Sequence, residues 1–255
     1  MIPRFFSRAP RPDIHPARVP AGRRIYAVGD IHGSIEPLRE LQCRILDHAA
    51  AAPQPELRNI VIYLGDYVDR GTDSRAVIDL LLQEPLPGFE HIYLKGNHEE
   101  GLLRFLVDEQ YGPQWFTFGG EATLYSYGTR PPQRPNGTAG LQQAQREFSE
   151  RLPQEHLDFF RRLQLHHIEG DYLFVHAGIR PGVALERQAP DDLLWIRDEF
   201  LRSDLDFGKT VVHGHSISES PVVRRNRIGI DTGAFASGHL TCLILEDADR
   251  SFLAT

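Results

Sequence analysis

Several features that would place a protein in a special class are missing from this 255-residue sequence. It has two cysteines, Cys43 and Cys242, which lie far apart and form no C-x-x-C pattern. A disulfide framework or a cysteine metal site is therefore not expected, and we predict two buried thiols in a reducing compartment. No apolar run approaches the roughly 20 residues that span a bilayer, so no membrane segment is expected either.

The sequence also lacks an excess of positive charge. Its formal net charge is −7 at pH 7, which argues against a basic surface for nucleic acid. Arginine and proline do concentrate in the first 24 residues, but no apolar core of about 7–15 residues follows them, so a secretory signal is not expected. We therefore predict a cytoplasmic protein. For residues 1–23 we favour a flexible basic arm, with an organelle address or a docking tail as open alternatives.

What the sequence does contain is enough apolar residues, 41%, for one large domain, which we place at residues 24–255. Over the first part of this domain, short apolar runs that end near a glycine alternate with helical patterns. This alternation predicts βαβ units with a parallel sheet, in which ligands collect at the carboxyl ends of the strands. The predicted strands are residues 25–28, 60–64 and 91–94, and the helices follow Ser34, Asp73 or Ser74, and about Glu99.

The rest of the chain divides into two regions of different composition. Residues 111–150 are rich in aromatic side chains and then in proline, which predicts a helical or loop insertion that caps or walls the site. From Asp171 onward short strands dominate, including residues 239–245, and they indicate a second, mixed sheet. Two mixed sheets facing each other and flanked by helices are the predicted α/β fold. The hairpin arginines Arg224, Arg225 and Arg227 are expected to be solvated rather than to dock a substrate.

Five short motifs place an aspartate, an asparagine or a histidine beside a glycine at a sharp turn. A single motif of this kind usually marks only a turn, but five in order predict oxygen and nitrogen ligands for two divalent metals. The motifs are Gly29-Asp30-Ile31-His32-Gly33, Gly65-Asp66-Tyr67-Val68-Asp69-Arg70-Gly71, Gly96-Asn97-His98-Glu99, His176-Ala177-Gly178 and His213-Gly214-His215.

The charge of these residues indicates what the site would bind. Asp30 and His32 are one residue apart, so an extended chain would point both to the same side, while Asp66 could bridge two cations. Two divalent cations with two carboxylates and a bridging hydroxide would leave a net positive pocket, which suits a phosphate dianion. Arg70 and Arg197 would then bind the phosphate oxygens.

Three of the motifs resemble the signature of the phosphoprotein phosphatase family of metallophosphoesterases, and the match is most similar to its bacterial Ser/Thr-phosphatase-like branch. The resemblance extends from about Arg24 to Leu253. It implies the four-layer α/β/β/α sandwich of calcineurin-like metallophosphoesterases. It also implies two divalent metal ions, for which we expect Mn²⁺, with Fe or Zn as alternatives.

The resemblance further implies a role for each motif residue. The first metal would be bound by Asp30, His32 and Asp66. The ligands of the second would be Asp66, Asn97, His176 and His215. Phosphate would contact Arg70, Arg197 and Asn97, and His98 would be a general acid oriented by Asp69. Because Asp69 lies only three residues beyond Asp66, we also expect its carboxylate to keep the imidazole of His98 charged.

The histidines outside this set leave one ambiguity. His213 and His215 are two residues apart, so an extended strand would point both the same way. The family pattern favours His215, which follows Gly214, and leaves His213 as a packed or supporting residue. His166 and His167, at a predicted helix end, are expected to be structural.

The leading hypothesis is a dinuclear-metal-dependent phosphomonoesterase acting on Ser/Thr phosphoproteins, with phosphotyrosine and small phosphoesters as open alternatives and no obligatory partner. A hydrolase of diadenosine polyphosphates or a cyclic-nucleotide phosphodiesterase would use the same metal core. A catalytically inactive binding module would require a lost ligand, and none is missing from the motifs.

Overall fold

The computed structural model of the protein describes residues 17–51, 56–133 and 137–255. Most of the predicted basic arm, residues 1–16, lies outside the described residues. The strands within the described ranges are β1 Arg23–Val28, β2 Arg58–Tyr63, β3 Phe89–Tyr93, β4 His166–Glu169, β5 Tyr172–Val175, β6 Thr210–His213, β7 Val222–Val223, β8 Arg227–Gly229, β9 Thr241–Glu246 and β10 Asp249–Ala254.

Helices surround these strands, and in the described part of the chain none of them is long and apolar enough to cross a membrane. They are α1 Ile35–Ala51, α2 Ser74–Gln83, α3 Asn97–Val107, α4 Gly112–Thr117, α5 Gly120–Ser126, α6 Thr138–Arg151, α7 Gln154–Arg162, α8 Pro190–Trp195, α9 Asp198–Leu201 and α10 Ala234–Ser237. Short 3₁₀ turns cover Glu109–Tyr111 and Leu185–Arg187.

The first sheet has the strand order β10-β9-β1-β2-β3. β1, β2 and β3 run parallel, as the βαβ pattern predicts. β9 was expected in the second sheet, and this is wrong, because it pairs antiparallel with β1 in the register Ile25↔Leu245. Its almost entirely buried residues fit the centre of a sheet that is covered on both faces.

The second sheet has the order β4-β5-β6-β8-β7 and is mixed, as predicted. Side chains such as Ile25, Ile60 and Leu243 of the first sheet pack against Tyr172 and Val212 of the second. A further cluster fills the space between the first sheet and its helices, and another packs the second sheet against α8 and α9. The predicted four-layer arrangement of helix, sheet, sheet and helix is therefore confirmed.

Several smaller expectations are wrong. Cys43 is exposed on the polar side of α1, and only Cys242 is a buried thiol. His166 and His167 lie in β4 rather than at a helix end, because the preceding helix α7 already ends at Arg162.

The hairpin arginines differ from one another. Arg224 and Arg225 are exposed, but Arg227 is buried. Its guanidinium donates hydrogen bonds to the carbonyl oxygens of Leu201 and Ser203. Arg227 therefore connects β8 to the end of α9 and the segment after it, instead of facing solvent as predicted.

Candidate metal centre

The five motifs follow five strands whose carboxyl ends meet at one edge of the two sheets. Asp30, Asp66 and Asn97 follow β1, β2 and β3 of the first sheet. His176 and His215 follow β5 and β6, which are parallel in the second sheet. Because the sheets face each other, their loops converge, and the structure brings residues from both halves of the chain together.

Asp66 lies at the middle of the cluster. Its Oδ2 is 3.4 Å from Nε2 of His32, and its Oδ1 is 3.4 Å from Nε2 of His176. Two groups of potential ligands share this carboxylate: one joins it to His32 and His98, and the other joins it to His176 and His215. In each group the ligand atoms lie within 4.8 Å of one another. This geometry suits a carboxylate that bridges two cations.

Main-chain carbonyl groups set the direction in which the imidazole rings face. Nδ1 of His32 is 2.9 Å from the carbonyl oxygen of Val68, and Nδ1 of His176 is 2.9 Å from that of Leu64. Each ring therefore presents Nε2 to the cluster, as is usual for histidine metal ligands. Asn97 adds an amide oxygen, which lies 2.9 Å from Nε2 of His176.

Asp30 lies beside these groups and is joined to them through His215. One of its oxygens accepts the backbone N–H of His215 at 2.9 Å. The other oxygen, Oδ1, and Nε2 of His215 are buried with no hydrogen-bond partner. Buried polar atoms without a partner are rare in proteins, and a cation would satisfy both of these.

Glycine is required where the two carboxylates meet the loops. A Cβ atom on Gly214 would lie 1.9 Å from Oδ1 of Asp30, and one on Gly96 would lie 2.0 Å from Oδ1 of Asp66. Any side chain at either position would displace a carboxylate from the cluster. The glycines in these motifs therefore provide space for the acidic ligands.

The electrostatics of the cluster also fit divalent cations. Burial raises the pKa of Asp30 and of Asp66 well above the usual range, and the neighbouring carboxylate of Asp231 raises that of Asp30 further. Burial lowers the pKa of His176 to about 3, and it also lowers the pKa of His32. Neutral imidazoles and crowded carboxylates form a donor set that bound cations would stabilise.

His98 and Asp69 form a buried pair at the edge of the cluster. Nδ1 of His98 is 2.7 Å from Oδ2 of Asp69. Burial raises the pKa of Asp69 to about 7 and lowers the pKa of His98 to about 3, with further lowering of the latter by Arg70 and Arg197. Burial thus opposes the predicted charged imidazole, and what the geometry supports for Asp69 is the orientation of the ring.

Arg70 and Arg197 are both exposed, whereas the metal ligands between them are buried. The guanidinium of Arg70 lies 4.8 Å from the centre of the Phe235 ring. Arg197 donates a hydrogen bond of 3.1 Å to the carbonyl oxygen of His215. Both groups act electrostatically on His98, so the two arginines are positioned near the mouth of the cluster.

The structure separates the two histidines that the sequence left ambiguous. His215 belongs to the second group of ligands, and His213 lies outside both groups. Nδ1 of His213 is 3.0 Å from the carbonyl oxygen of Gly214, and its ring meets Phe200 edge-on. Burial lowers its pKa to about 4, which agrees with a neutral, packed imidazole.

Sequence reasoning missed two buried acids. Glu99 accepts backbone N–H groups from Asp66 and Tyr67 on one loop and from Gly96 on the next, so it fixes two ligand-bearing loops to each other. Asp231 lies close enough to Asp30 to raise its pKa. A signal existed for both, since Glu99 lies within a motif and Asp231 follows a strand before Thr-Gly.

The backbone at the site adopts a conformation that most residues avoid. Positive φ angles between 48° and 72° occur at His32, Asp66, Asp69, Arg70 and His215. In the described ranges Asp247 is the one further residue other than glycine with positive φ. Such strain concentrates at functional sites, where surrounding contacts hold it in place.

Comparison with curated proteins finds relatives of two kinds. The chain is 29% identical over 231 residues to serine/threonine-protein phosphatase 2 of Salmonella typhimurium (strain LT2), covering 86% of this chain and 91% of that protein. It is 24% identical over 239 residues to bis(5'-nucleosyl)-tetraphosphatase PrpE (asymmetrical) of Bacillus thuringiensis (strain Al Hakam), covering 85% and 88%. Both alignments extend over nearly the whole length of each relative.

Solved structures agree on the fold. One belongs to a protein provisionally assigned as a diadenosine tetraphosphatase, with a TM-score of 0.59, 20% identity and coverage of 93% of this chain and 98% of that one. Another is a cold-active protein-tyrosine phosphatase of a psychrophilic Shewanella species, with a TM-score of 0.53, 16% identity and coverage of 92% and 83%. Residues 23–240 match the family described as calcineurin-like phosphoesterase. The chain therefore belongs to the calcineurin-like phosphoesterase family and is a hydrolase of that family, with residues that fit a dinuclear metal centre.

Proposed function

We propose that this chain is a phosphomonoesterase that removes phosphate from phosphoserine and phosphothreonine in proteins, with two divalent metal ions. The observation that carries the proposal is the pair of exposed arginines beside a buried ligand cluster and a buried His98–Asp69 pair. Two guanidinium groups can bind the oxygens of a terminal phosphate dianion, which a phosphomonoester has and a phosphodiester lacks.

The proposal assigns a task to each of these groups. Asp30, His32, Asp66, Asn97, His176 and His215 would hold the cations. When bound, the cations would supply Lewis acidity for the phosphate and for an attacking water. Arg70, Arg197 and the amide of Asn97 would orient the phosphate.

His98 would give a proton to the leaving oxygen, and Asp69 would hold its ring. In the neutral ring Nδ1 donates to Asp69, so Nε2, which lies 3.7 Å from Oδ2 of Asp66, faces the cluster. The second proton that an acid needs would have to be carried at Nε2. A bound phosphate dianion would favour that proton electrostatically.

The metal, the compartment and the extent of the domain are part of the proposal. Oxygen-rich ligands mixed with imidazole suit Mn²⁺, with Fe or Zn as alternatives. Both cysteines are free thiols, which supports a reducing, cytoplasmic setting. We treat residues 24–255 as one catalytic domain, with residues 111–150 as part of its site. No nucleic acid, membrane or obligatory partner is expected.

A second candidate is the hydrolysis of dinucleoside polyphosphates. The name of the Bacillus relative favours it, and so do aromatic side chains next to the cluster. Phe118 and Trp195 lie 5.3 Å apart, and they approach His98 and His215 at 6.1 Å and 6.3 Å. Aromatic faces of this kind stack well on nucleobases.

One experiment separates the two candidates. The protein reconstituted with Mn²⁺ is assayed on a phosphoserine peptide, a phosphotyrosine peptide and diadenosine tetraphosphate, and kcat/KM is compared. The proposal predicts the highest value for the phosphoserine peptide. A higher value for diadenosine tetraphosphate would establish the second candidate instead, and failure on all three would reject both.

A further inference from the structure

The carboxylate of Asp69 has more partners than the orientation of one histidine requires. Besides His98, the indole Nε1 of Trp115 donates to its Oδ2 at 2.8 Å. The hydroxyl of Thr123 donates to its Oδ1 at 2.6 Å. Trp115 lies in α4 and Thr123 in α5, so both belong to the aromatic segment 111–150 and not to the metal-binding loops.

The hydroxyl groups around Asp69 have fixed directions. The backbone N–H of Asp69 donates to Oγ1 of Thr123 at 2.9 Å and to Oγ of Ser74 at 3.1 Å. The two hydroxyl oxygens are 3.0 Å apart. Because the single hydroxyl proton of Thr123 is used by Asp69, Ser74 must donate to Thr123. These four groups thus form a closed set in which neither hydroxyl is free to rotate.

The same segment also holds the backbone of this turn. Asp69 and Arg70 are consecutive left-handed residues, with φ angles of 72° and 68°. The N–H of Arg70 donates to the carbonyl oxygen of Gly119, between α4 and α5, at 3.2 Å. A strained turn persists only where its surroundings hold it, and here much of the support comes from α4 and α5.

Packing leaves Trp115 little freedom. Its side chain is fully buried, and it packs against Phe105 with 5.0 Å between ring centres. A Cβ atom on Gly120 would lie 2.4 Å from the indole ring. The indole N–H is therefore directed at Asp69 by a close-packed surrounding.

We propose that Trp115 and Thr123 are positioning residues, which hold Asp69 and thereby place His98 at the leaving oxygen. The inference rests on the proposed function, in which His98 is the acid. It assigns the segment 111–150 a part in catalysis that is distinct from binding substrate. Losing either contact should lower kcat for substrates whose leaving group must be protonated, and it should leave KM nearly unchanged.

The chain offers matched variants for a test. Thr123→Val and Trp115→Phe each remove one donor and keep most of the volume. Thr129→Val is the control, because Thr129 is a buried threonine of the same segment whose hydroxyl has no partner. His98→Ala provides the reference for complete loss of the acid. Metal content is measured for every variant.

Two monoesters, p-nitrophenyl phosphate with its acidic leaving group and an alkyl phosphate, are used with all four variants. We expect Thr123→Val and Trp115→Phe to lose roughly 10- to 100-fold in kcat on the alkyl ester and much less on the nitrophenyl ester. Thr129→Val should match the unmodified protein on both. NMR of the metal-free protein tests the hydrogen bond between Trp115 and Asp69 separately. The indole N–H resonance of Trp115 should shift between the unmodified protein and Asp69→Asn.

The outcomes separate the inference from the function on which it rests. An equal loss on both esters in His98→Ala would reject His98 as the acid. If His98→Ala discriminates between the esters but Thr123→Val and Trp115→Phe behave like Thr129→Val, the positioning role is overturned. A loss explained by missing metal, or an unshifted indole resonance, would overturn it as well.

Discussion

At the scale of single residues, Asp66 should have the largest effect on the metal centre, since it belongs to both groups of potential ligands. We predict that Asp66→Asn binds neither metal tightly, because an amide has one oxygen and no negative charge to share. Asp30→Asn should mainly weaken one site. Metal per chain, measured by mass spectrometry after dialysis, tests both variants. Two metals and normal turnover in Asp66→Asn would disprove the bridging role.

The two histidines at the carboxyl end of β6, His213 and His215, allow a paired test. Nε2 of His215 is buried without a partner, whereas His213 bonds to Gly214 and packs on Phe200. We therefore expect His215→Ala to lose one metal and His213→Ala to keep two, with some loss of stability from the cavity. Metal content is compared in samples that circular dichroism shows to be folded. The opposite pattern would assign the ligand to His213.

Residue types and their positions at strand ends were enough to predict which side chains come together at this scale, because the carboxyl ends of the strands meet at one edge of the sheets. The assignment of each side chain to a metal came from the family resemblance and stays a prediction. Trp115 and Thr123 could not be predicted in this way. Their partner is 46 or more residues away in the sequence, and a buried tryptophan or threonine is usually only part of the core. Only the fold brings these donors to Asp69.

At the scale of elements, Arg227 shows how a charged side chain can stabilise a hairpin from within. It donates to the carbonyl oxygens of Leu201, the last residue of α9, and of Ser203, and it lies over the Phe200 ring. Arg227→Met should keep the apolar stem but remove the donor from the half-buried carbonyl oxygen of Leu201 and one donor from that of Ser203, which also accepts from Asn226. We expect a cost of about 1.5–3 kcal/mol in the free energy of unfolding. Urea unfolding measures this loss.

The control for this prediction lies in the same hairpin. Arg224→Ala and Arg225→Ala change exposed arginines, and each should alter the free energy of unfolding by less than about 0.5 kcal/mol. If all three variants are as stable as the unmodified protein, the contacts of Arg227 contribute nothing to the free energy of unfolding. If the two controls unfold as readily as Arg227→Met, the effect is one of charge rather than of burial.

Element type was easier to predict than element partnership. The three parallel strands β1 to β3 were predicted because each short apolar run is followed by a segment whose apolar residues recur at helical spacing. The placement of β9 was wrong because the residues of an apolar strand do not indicate which sheet the strand joins. Its neighbour is β1, more than 200 residues earlier in the chain, and such pairing is decided by the packing of both sheets.

At the scale of the whole molecule, the metal centre joins the two sheets, since Asp66 comes from one and His176 and His215 from the other. Cations that bind the folded chain and not the unfolded one stabilise it by mass action. We predict that a chelator abolishes activity and lowers Tm, and that Mn²⁺ restores both better than Zn²⁺ or Fe²⁺. Calorimetry with parallel assays measures this, and full activity in a metal-free sample would disprove the metal requirement.

The layered architecture could be predicted from the sequence because it depends on composition averaged over many residues. Alternating strands and helices in the first half predict a parallel sheet that is covered on both faces, and the strand-rich second half supplies another sheet. The inward face of each sheet could not be assigned, since the strands are apolar on both faces. The structure resolves this with separate buried clusters on either side of each sheet.

The left-handed residues of the site have a consequence for how this sequence can change over generations. Each of the five disfavours the fold by on the order of 1–3 kcal/mol relative to a relaxed backbone, and glycine would relieve much of that. Selection for thermal stability alone would therefore favour glycine at positions such as Arg70. Under the proposed role of Arg70 in binding phosphate, a descendant that no longer needs this activity should lose the arginine early and gain stability as it does so. In such a lineage, a rise in the free energy of unfolding would be the first sign that the activity has been lost.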